Sequence, residues 1–259
     1  MTALLELDGV KVSYRVAGRP RLVAVDDVSL SLGTRQVLGL VGESGCGKST
    51  LARAICGLEG LDSGSITFDG TPVTRLGMRT RDRKLLRIQM VFQNPYASLN
   101  PRRTIGKQIE DGLKVNPDRS AWTVPDLLAH VELDASARSR FPHQFSGGQR
   151  QRIAIARAIA SGPDLLVGDE PIASLDASLQ ARVAGLMRSL ALETGASLLF
   201  ISHDLSVVRV IADDVAVMSR GKIVERGDVN EVWSNPQQPY TKQLLSAIPK
   251  VDGLGVLPG

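Results

Sequence analysis

The chain has 259 residues, 43% of them hydrophobic, enough for one large α/β domain or for such a domain carrying a smaller insert. Its 31 Lys and Arg stand against 27 Asp and Glu, and the net charge of +4 gives no concentrated basic face that would point to nucleic acid. Two cysteines, Cys46 and Cys56, are too few for a zinc knuckle, an iron–sulfur cluster or a disulfide framework, and they fit a reducing cytosol.

The first eight residues, Met-Thr-Ala-Leu-Leu-Glu-Leu-Asp, lack the cationic and apolar stretches of a leader. No apolar run approaches the ~18 residues needed to span a bilayer, so any membrane role is expected to come through a partner. Leu5, Leu7, Val10, Val12 and Tyr14 fall in rough alternation, and 28–32 repeats the pattern, which predicts a half-exposed antiparallel sheet. Residues 37–41 are a continuous apolar run and read as a buried strand.

Gly42, Glu43, Ser44, Gly45, Cys46, Gly47, Lys48 and Ser49 follow that strand and match GxxxxGK[ST] in full. A helical pattern over 49–58 comes next, with Leu51, Ile55 and Leu58 on one face. A strand, a glycine turn and a helix N-terminus make an anion cradle: backbone N–H groups surround the β-phosphate, Lys48 reaches the β/γ oxygens, and the Ser49 hydroxyl can ligate Mg²⁺. Thr50 is counted with this nucleotide site, and Cys46 reads as an inert filler within the loop.

The basic run 79–84 reads as a solvated helix face, and 88–92 as a strand ending at Gln93. From 94 to 162 the alternation breaks into Asn-Pro punctuation and helix-like segments, including 124–133, which predicts an inserted helical part. Within it Ser146, Gly147, Gly148 and Gln149 open another helix, whose glycines permit close backbone approach and whose dipole favours an anion. A strand over 165–167 then leads through Gly168, less apolar than its place suggests, to Asp169 and Glu170. Beside the phosphate loop, Asp169 is the candidate Mg²⁺ ligand, and Glu170 the candidate to orient or deprotonate the attacking water.

A helix over 179–192, a strand over 198–201 ending before His203, a strand over 215–218 and a short helix from Pro239 to 248 complete the reading, with a Gly/Pro tail expected to be mobile. The expected units are 1–92, an N-terminal β part with the first half of an ATP-binding core; 93–161, helical; 162–235, the second half of the core; and 236–259, a short helix and tail. One nucleotide does not need two cradles in one subunit, so the pair predicts ATP shared between two chains.

Taken together, these motifs resemble the ATP-binding subunits of ABC transporters over nearly the full chain. The resemblance implies an α/β fold with a P-loop NTPase (RecA-like) core, an N-terminal antiparallel β subdomain and an inserted α-helical subdomain. It implies that Tyr14 stacks on adenine, that Gln93 ligates Mg²⁺ and couples to the helical part, and that 146–149 is the signature motif. Asp176 would be the D-loop aspartate, and His203 the switch histidine that positions water at the γ-phosphate. Subunits of this family pair head to tail, each ATP lying between the phosphate loop of one and the signature of the other. The implied ligands are ATP and Mg²⁺. The implied partners are membrane permeases, a second nucleotide-binding subunit, identical or homologous, and indirectly an extracytoplasmic substrate-binding protein, with the chain peripheral on the cytoplasmic face of the membrane.

The strings over 90–101, 141–145 and 235–245 resemble the oligopeptide, dipeptide and nickel importer group. Some members carry cluster-binding cysteines in a longer C-terminal extension, and this chain resembles the shorter nickel-type members. One departure is the D-loop, which reads Ile-Ala-Ser-Leu-Asp over 172–176 where the family usually has a hydroxyl residue at Ala173 and a small one at Ser174. That swap is either neutral or the mark of two unequal ATP sites. The expected function is ATP hydrolysis that powers uptake of peptide or nickel-type cargo. The alternative is a soluble ABC-type ATPase that remodels a protein or nucleic-acid complex, for example in a phosphonate-degrading assembly.

Overall fold

The computed structural model describes residues 3–247 apart from 16, 19, 78–80, 120 and 121. In chain order its elements are β1 (Leu5–Tyr14), β2 (Leu22–Leu32), β3 (Val37–Val41), α1 (Lys48–Ile55), β4 (Ser63–Phe68), β5 (Thr71–Pro72), β6 (Ile88–Val91), α2 (Pro95–Ser98), α3 (Ile105–Leu113), α4 (Val124–His130), α5 (Gly147–Ala160), β7 (Leu165–Asp169), α6 (Ala177–Glu193), β8 (Ser197–Ile201), α7 (Leu205–Ile211), β9 (Asp214–Ser219), β10 (Lys222–Asp228), α8 (Val229–Ser234) and α9 (Pro239–Ser246).

They form two sheets. An antiparallel one has the order β2-β1-β4-β5, and a six-stranded one has the order β10-β9-β3-β8-β7-β6, parallel except where β10 closes the edge against β9. The strand chemistry explains the difference. In β1, Leu5 and Leu7 are buried while Glu6 and Asp8 are exposed, the alternation of a sheet with one wet face. The five residues of β3 are all buried because both faces of the large sheet are covered.

Alternate residues of the large sheet feed two cores. Leu38, Leu40, Val167, Leu199 and Ile201 pack with the small sheet and α1, while Val37, Val41, Leu166, Leu198 and Phe200 pack toward the helices. On the helical side Gly39 of β3 is a close-approach point: a Cβ there would lie 2.4 Å from Val208 Cγ1 of α7. Gly168 plays the same part in β7, where a Cβ would lie 2.9 Å from Met187 Cε of α6 and 3.1 Å from Pro171 Cγ. Its small size lets Pro171 and the end of the Met187 side chain pack closely on the strand, and is not a flaw in it.

Two expectations need correction. Helix α1 does not run to Leu58, because Gly57, at φ 69°, ends it in a Schellman turn whose Leu58 N–H donates to Arg53 O at 2.8 Å. Leu58 consequently leaves the apolar face and is exposed. The basic run is no helix face over 81–84 either: Arg81 is partly buried and donates to Cys56 O at 2.9 Å, and Lys84 begins a short 3-10 turn. Arg79, Thr80 and the tail beyond 247 lie outside the described residues. Among those described, no helix is long and apolar enough to cross a membrane.

Candidate nucleotide-binding site

Four parallel strands end on one edge of the large sheet, and each delivers a candidate residue as the chain leaves it. Strand β3 leads into the phosphate loop, β6 toward Gln93, β7 into Asp169 and Glu170, and β8 through Ser202 to His203. The register puts Asp169 level with Ile201, and Ile201 level with Leu40. Open α/β sheets place ligands at this carboxyl edge.

The loop depends on backbone that only glycine supplies cheaply. Gly42 has φ 152°, and a Cβ there would sit 2.1 Å from Met218 O; Gly47 has φ 112°, and a Cβ would sit 2.1 Å from Ala24 O. Lys48 is 3% exposed and its Nζ donates to Gly42 O at 2.7 Å and Glu43 O at 2.9 Å. Glu170 Oε1 lies 3.9 Å from the same Nζ, and its Oε2 lies 3.3 Å from His203 Nδ1. Glu170 adopts φ 48°, a left-handed turn that costs about 1–3 kcal/mol in a non-glycine residue. That turn carries the carboxylate between Lys48 and His203, with the backbone held by Glu170 N–H donating to Ile201 O at 3.0 Å.

Ser49 Oγ donates to Asp169 Oδ1 at 2.7 Å. Burial pushes the Asp169 carboxyl above its ordinary range, opposed by the Ser49 hydrogen bond and by Arg53 and Lys48. A desolvated carboxylate beside a hydroxyl is a pair of hard oxygen donors, and Mg²⁺ characteristically takes one or two protein oxygens and completes its shell with phosphate and water. No cluster of three or more His, Cys, Asp or Glu suited to a metal occurs among the described residues. Cys46 is buried, its Sγ lies 3.9 Å from Lys48 Nζ, and burial pushes its thiol up; Cys56, fully buried, is pushed up to about 12. Both shifts disfavour the thiolate, the nucleophilic form.

The remaining candidates fall into two groups. Tyr14 closes β1 over α1 with its hydroxyl 3.3 Å from Thr50 Oγ1 and 3.4 Å from Glu59 Oε2, at the border of the loop. Gln93 is exposed past the end of β6. By contrast, Ser146, Gly147, Gly148 and Gln149 make no hydrogen bond or ion pair with 42–49 among the described residues. They form a reciprocal capping box at the start of α5, Ser146 N–H donating to Gln149 Oε1 at 2.9 Å and Gln149 N–H to Ser146 Oγ at 3.3 Å. Ser146 and Gly147 are exposed, and a Cβ at Gly147 would meet nothing within 4 Å. Asp176 caps α6, accepting from Ser178 Oγ and Leu179 N–H, and these bonds hold its carboxyl below the usual range.

The sequence reading gave no role to Tyr240, although it quoted the string that contains it. Tyr240 Oη accepts from Glu43 N–H at 3.1 Å, bringing α9 to the phosphate loop across 197 residues. Only the tertiary structure brings the two together.

The family described as "ABC transporter" matches residues 25–173. The oligopeptide transport ATP-binding protein OppF of Bacillus subtilis is 46% identical over 258 residues, covering 96% of this chain and 83% of that protein. The dipeptide transport ATP-binding protein DppF of Haemophilus influenzae is 46% identical over 259 residues, covering 96% and 79%. Among solved structures, the ATP-binding cassette MJ0796, a dimer in a post-hydrolysis state bound to ADP and Pi, matches with TM-score 0.72 at 25% identity, covering 87% of this chain and 98% of that one. The fold is shared with cbiO1 of Clostridium perfringens, with TM-score 0.73, 24% identity and coverage of 90% and 91%.

Proposed function

Because the chain belongs to the ABC transporter family of ATP-binding subunits, we propose that it is the ATPase of a peptide importer, pairing with a second nucleotide-binding subunit beneath membrane permeases on the cytoplasmic face of the membrane. It binds and hydrolyses ATP. Relatives whose names assign them to oligopeptide and dipeptide transport favour peptide cargo over nickel, and an importer over a remodelling ATPase. An extracytoplasmic binding protein would deliver that cargo to the permeases.

The observation that carries the mechanism is the convergence of Lys48, Glu170 and His203 beside the Ser49–Asp169 pair. On ATP binding, Lys48 exchanges the Gly42 and Glu43 carbonyls for β/γ-phosphate oxygens. Glu170 takes the proton from the attacking water, and His203, in contact with its carboxylate, orients that water and the γ-phosphate. Ser49, Asp169 and Gln93 would hold Mg²⁺, which neutralises phosphate charge when bound. Tyr14 offers its ring to adenine at the border of the loop, and Gln93 ties the site to the helical part.

Ser146 and Gly147 are exposed at the start of α5, and this helix N-terminus would suit the γ-phosphate of ATP held by the second subunit. Asp176, between Leu175 and Leu179 that lie beside Gly148, would face the same partner. The test is Lys48→Ala in a reconstituted transporter. We expect MgATP binding and peptide uptake to be lost together, and uptake that persists without ATP binding by this chain would refute the reading.

A further inference from the structure

We propose that Tyr240 is a positioning residue for the phosphate loop, its hydroxyl fixing the Gly42–Glu43 peptide so that Lys48 can change partners without the loop collapsing. This rests on the reading of 42–49 as the ATP site, and it gives the C-terminal helix α9 a part in nucleotide binding.

The Gly42–Glu43 peptide is held at both ends. Its N–H, that of Glu43, donates to Tyr240 Oη at 3.1 Å, and its carbonyl, that of Gly42, accepts from Lys48 Nζ at 2.7 Å; the next carbonyl, that of Glu43, accepts from the same Nζ at 2.9 Å and from Cys46 N–H at 3.3 Å. When Lys48 turns to the phosphates, both of its carbonyl bonds are lost at the moment the loop must keep its shape. The Tyr240 bond lies on the side of the peptide away from that exchange, so it persists through it. Packing cannot substitute for it, because a cavity of about 590 Å³ lies there, lined by loop residues 43–46, by Ser219 and Arg220 of the β9–β10 turn, and by Tyr240 and Gln243.

Helix α9 is anchored well enough to act as a fixed post. Glu225 of β10 accepts from Gln237 N–H at 2.7 Å and from Gln238 N–H at 3.1 Å, which pins the two residues before the helix. Thr241 is 1% exposed, and Tyr240, Leu244 and Leu245 pack against the helical-side core. The loop also has a second tether, Gly221 N–H donating to Cys46 O at 2.9 Å, so β10's turn and α9 grip it at two points.

The test uses the full chain, with Tyr240→Phe to remove only the hydroxyl and Gln243→Ala as a control on the same helix and cavity. MgATP affinity is measured by calorimetry, exchange of the 43–46 amides by mass spectrometry, and turnover in the assembled transporter. Loss of one hydrogen bond should raise the MgATP Kd of Tyr240→Phe by about two- to tenfold and speed exchange over 43–46, with saturating kcat within about twofold of wild type. Gln243→Ala should leave all three unchanged. An unchanged Kd and exchange in Tyr240→Phe, or an equal shift in Gln243→Ala, would overturn the inference while wild-type ATP binding leaves the site assignment standing. A wild-type chain that binds no ATP would overturn both.

Discussion

Glu170→Gln removes one charge from the site and leaves its shape. Glu170 is 14% exposed, 3.9 Å from Lys48 Nζ and 3.3 Å from His203 Nδ1, and it is the carboxylate placed to accept a proton from water. A general base contributes about 10²–10⁴ in rate, equivalent to roughly 3–5 kcal/mol of barrier. Affinity should move the other way. Two unit charges about 4 Å apart attract by about 4 kcal/mol at an effective dielectric of ~20, and Lys48 loses that attraction when it turns to the triphosphate. Even a quarter of it, about 1 kcal/mol, is roughly fivefold in affinity. The Gln variant should therefore turn over ATP about 10²–10⁴ times more slowly in the assembled complex, yet bind MgATP as tightly as wild type or up to roughly fivefold more tightly by calorimetry on the isolated chain. Turnover above about a tenth of wild type would remove Glu170 as the base. Markedly weaker binding would mean that Glu170 holds the nucleotide instead.

Asp169→Asn should separate stability from function. Burial raises the Asp169 carboxyl, so the folded state holds its proton more tightly than the unfolded chain; the ionised group costs stability at neutral pH, and the cost is relieved as pH falls through the folded value. The variant should melt roughly 1–3 °C higher without nucleotide by scanning calorimetry while losing Mg²⁺-dependent hydrolysis, and a lower melting temperature would contradict the assignment. Gly168→Ala overpacks the contact with Met187 and Pro171, at about 1–3 kcal/mol, so its melting temperature should drop by roughly 2–6 °C. Because Asp169 and Glu170 follow directly, its ATPase rate should fall as well, and a variant with wild-type stability would show that α6 can yield.

The strings legible in the sequence were those in which one short stretch carries a whole motif. The phosphate loop, the 169–170 acidic pair and His203 each sit at a strand end, and buried strands announce themselves as apolar runs. The small sheet was only half legible. Its strand β4 is Ser-Gly-Ser-Ile-Thr-Phe, and at the edge of the large sheet β10 likewise runs through Lys222, Glu225, Arg226 and Asp228, so in both strands polar positions dilute the period of two. The end of α1 was misread because Leu58 fits the helical spacing while Gly57, one residue earlier, takes a left-handed turn. Gly168 looked anomalous because its reason, the thioether of Met187, lies on a different element. The 146–149 turn makes the bonds of an ordinary capping box, and the exposure of Ser146 and Gly147 leaves room for a partner's nucleotide. Tyr240 was out of reach of any local pattern.

The central claim, that 146–149 of one chain completes the ATP site of another, is tested most directly by Gly147→Asp. A side chain at Gly147 meets open space within its own chain, and an acidic residue in the first turn of α5 favours the helix by about 0.3–1 kcal/mol. The account predicts an isolated Gly147→Asp chain that folds and binds MgATP as wild type does, and an assembled transporter whose ATPase activity is abolished because the new carboxylate opposes the γ-phosphate held by the second subunit. Wild-type hydrolysis by the assembled variant, or loss of ATP binding in the isolated chain, would contradict it.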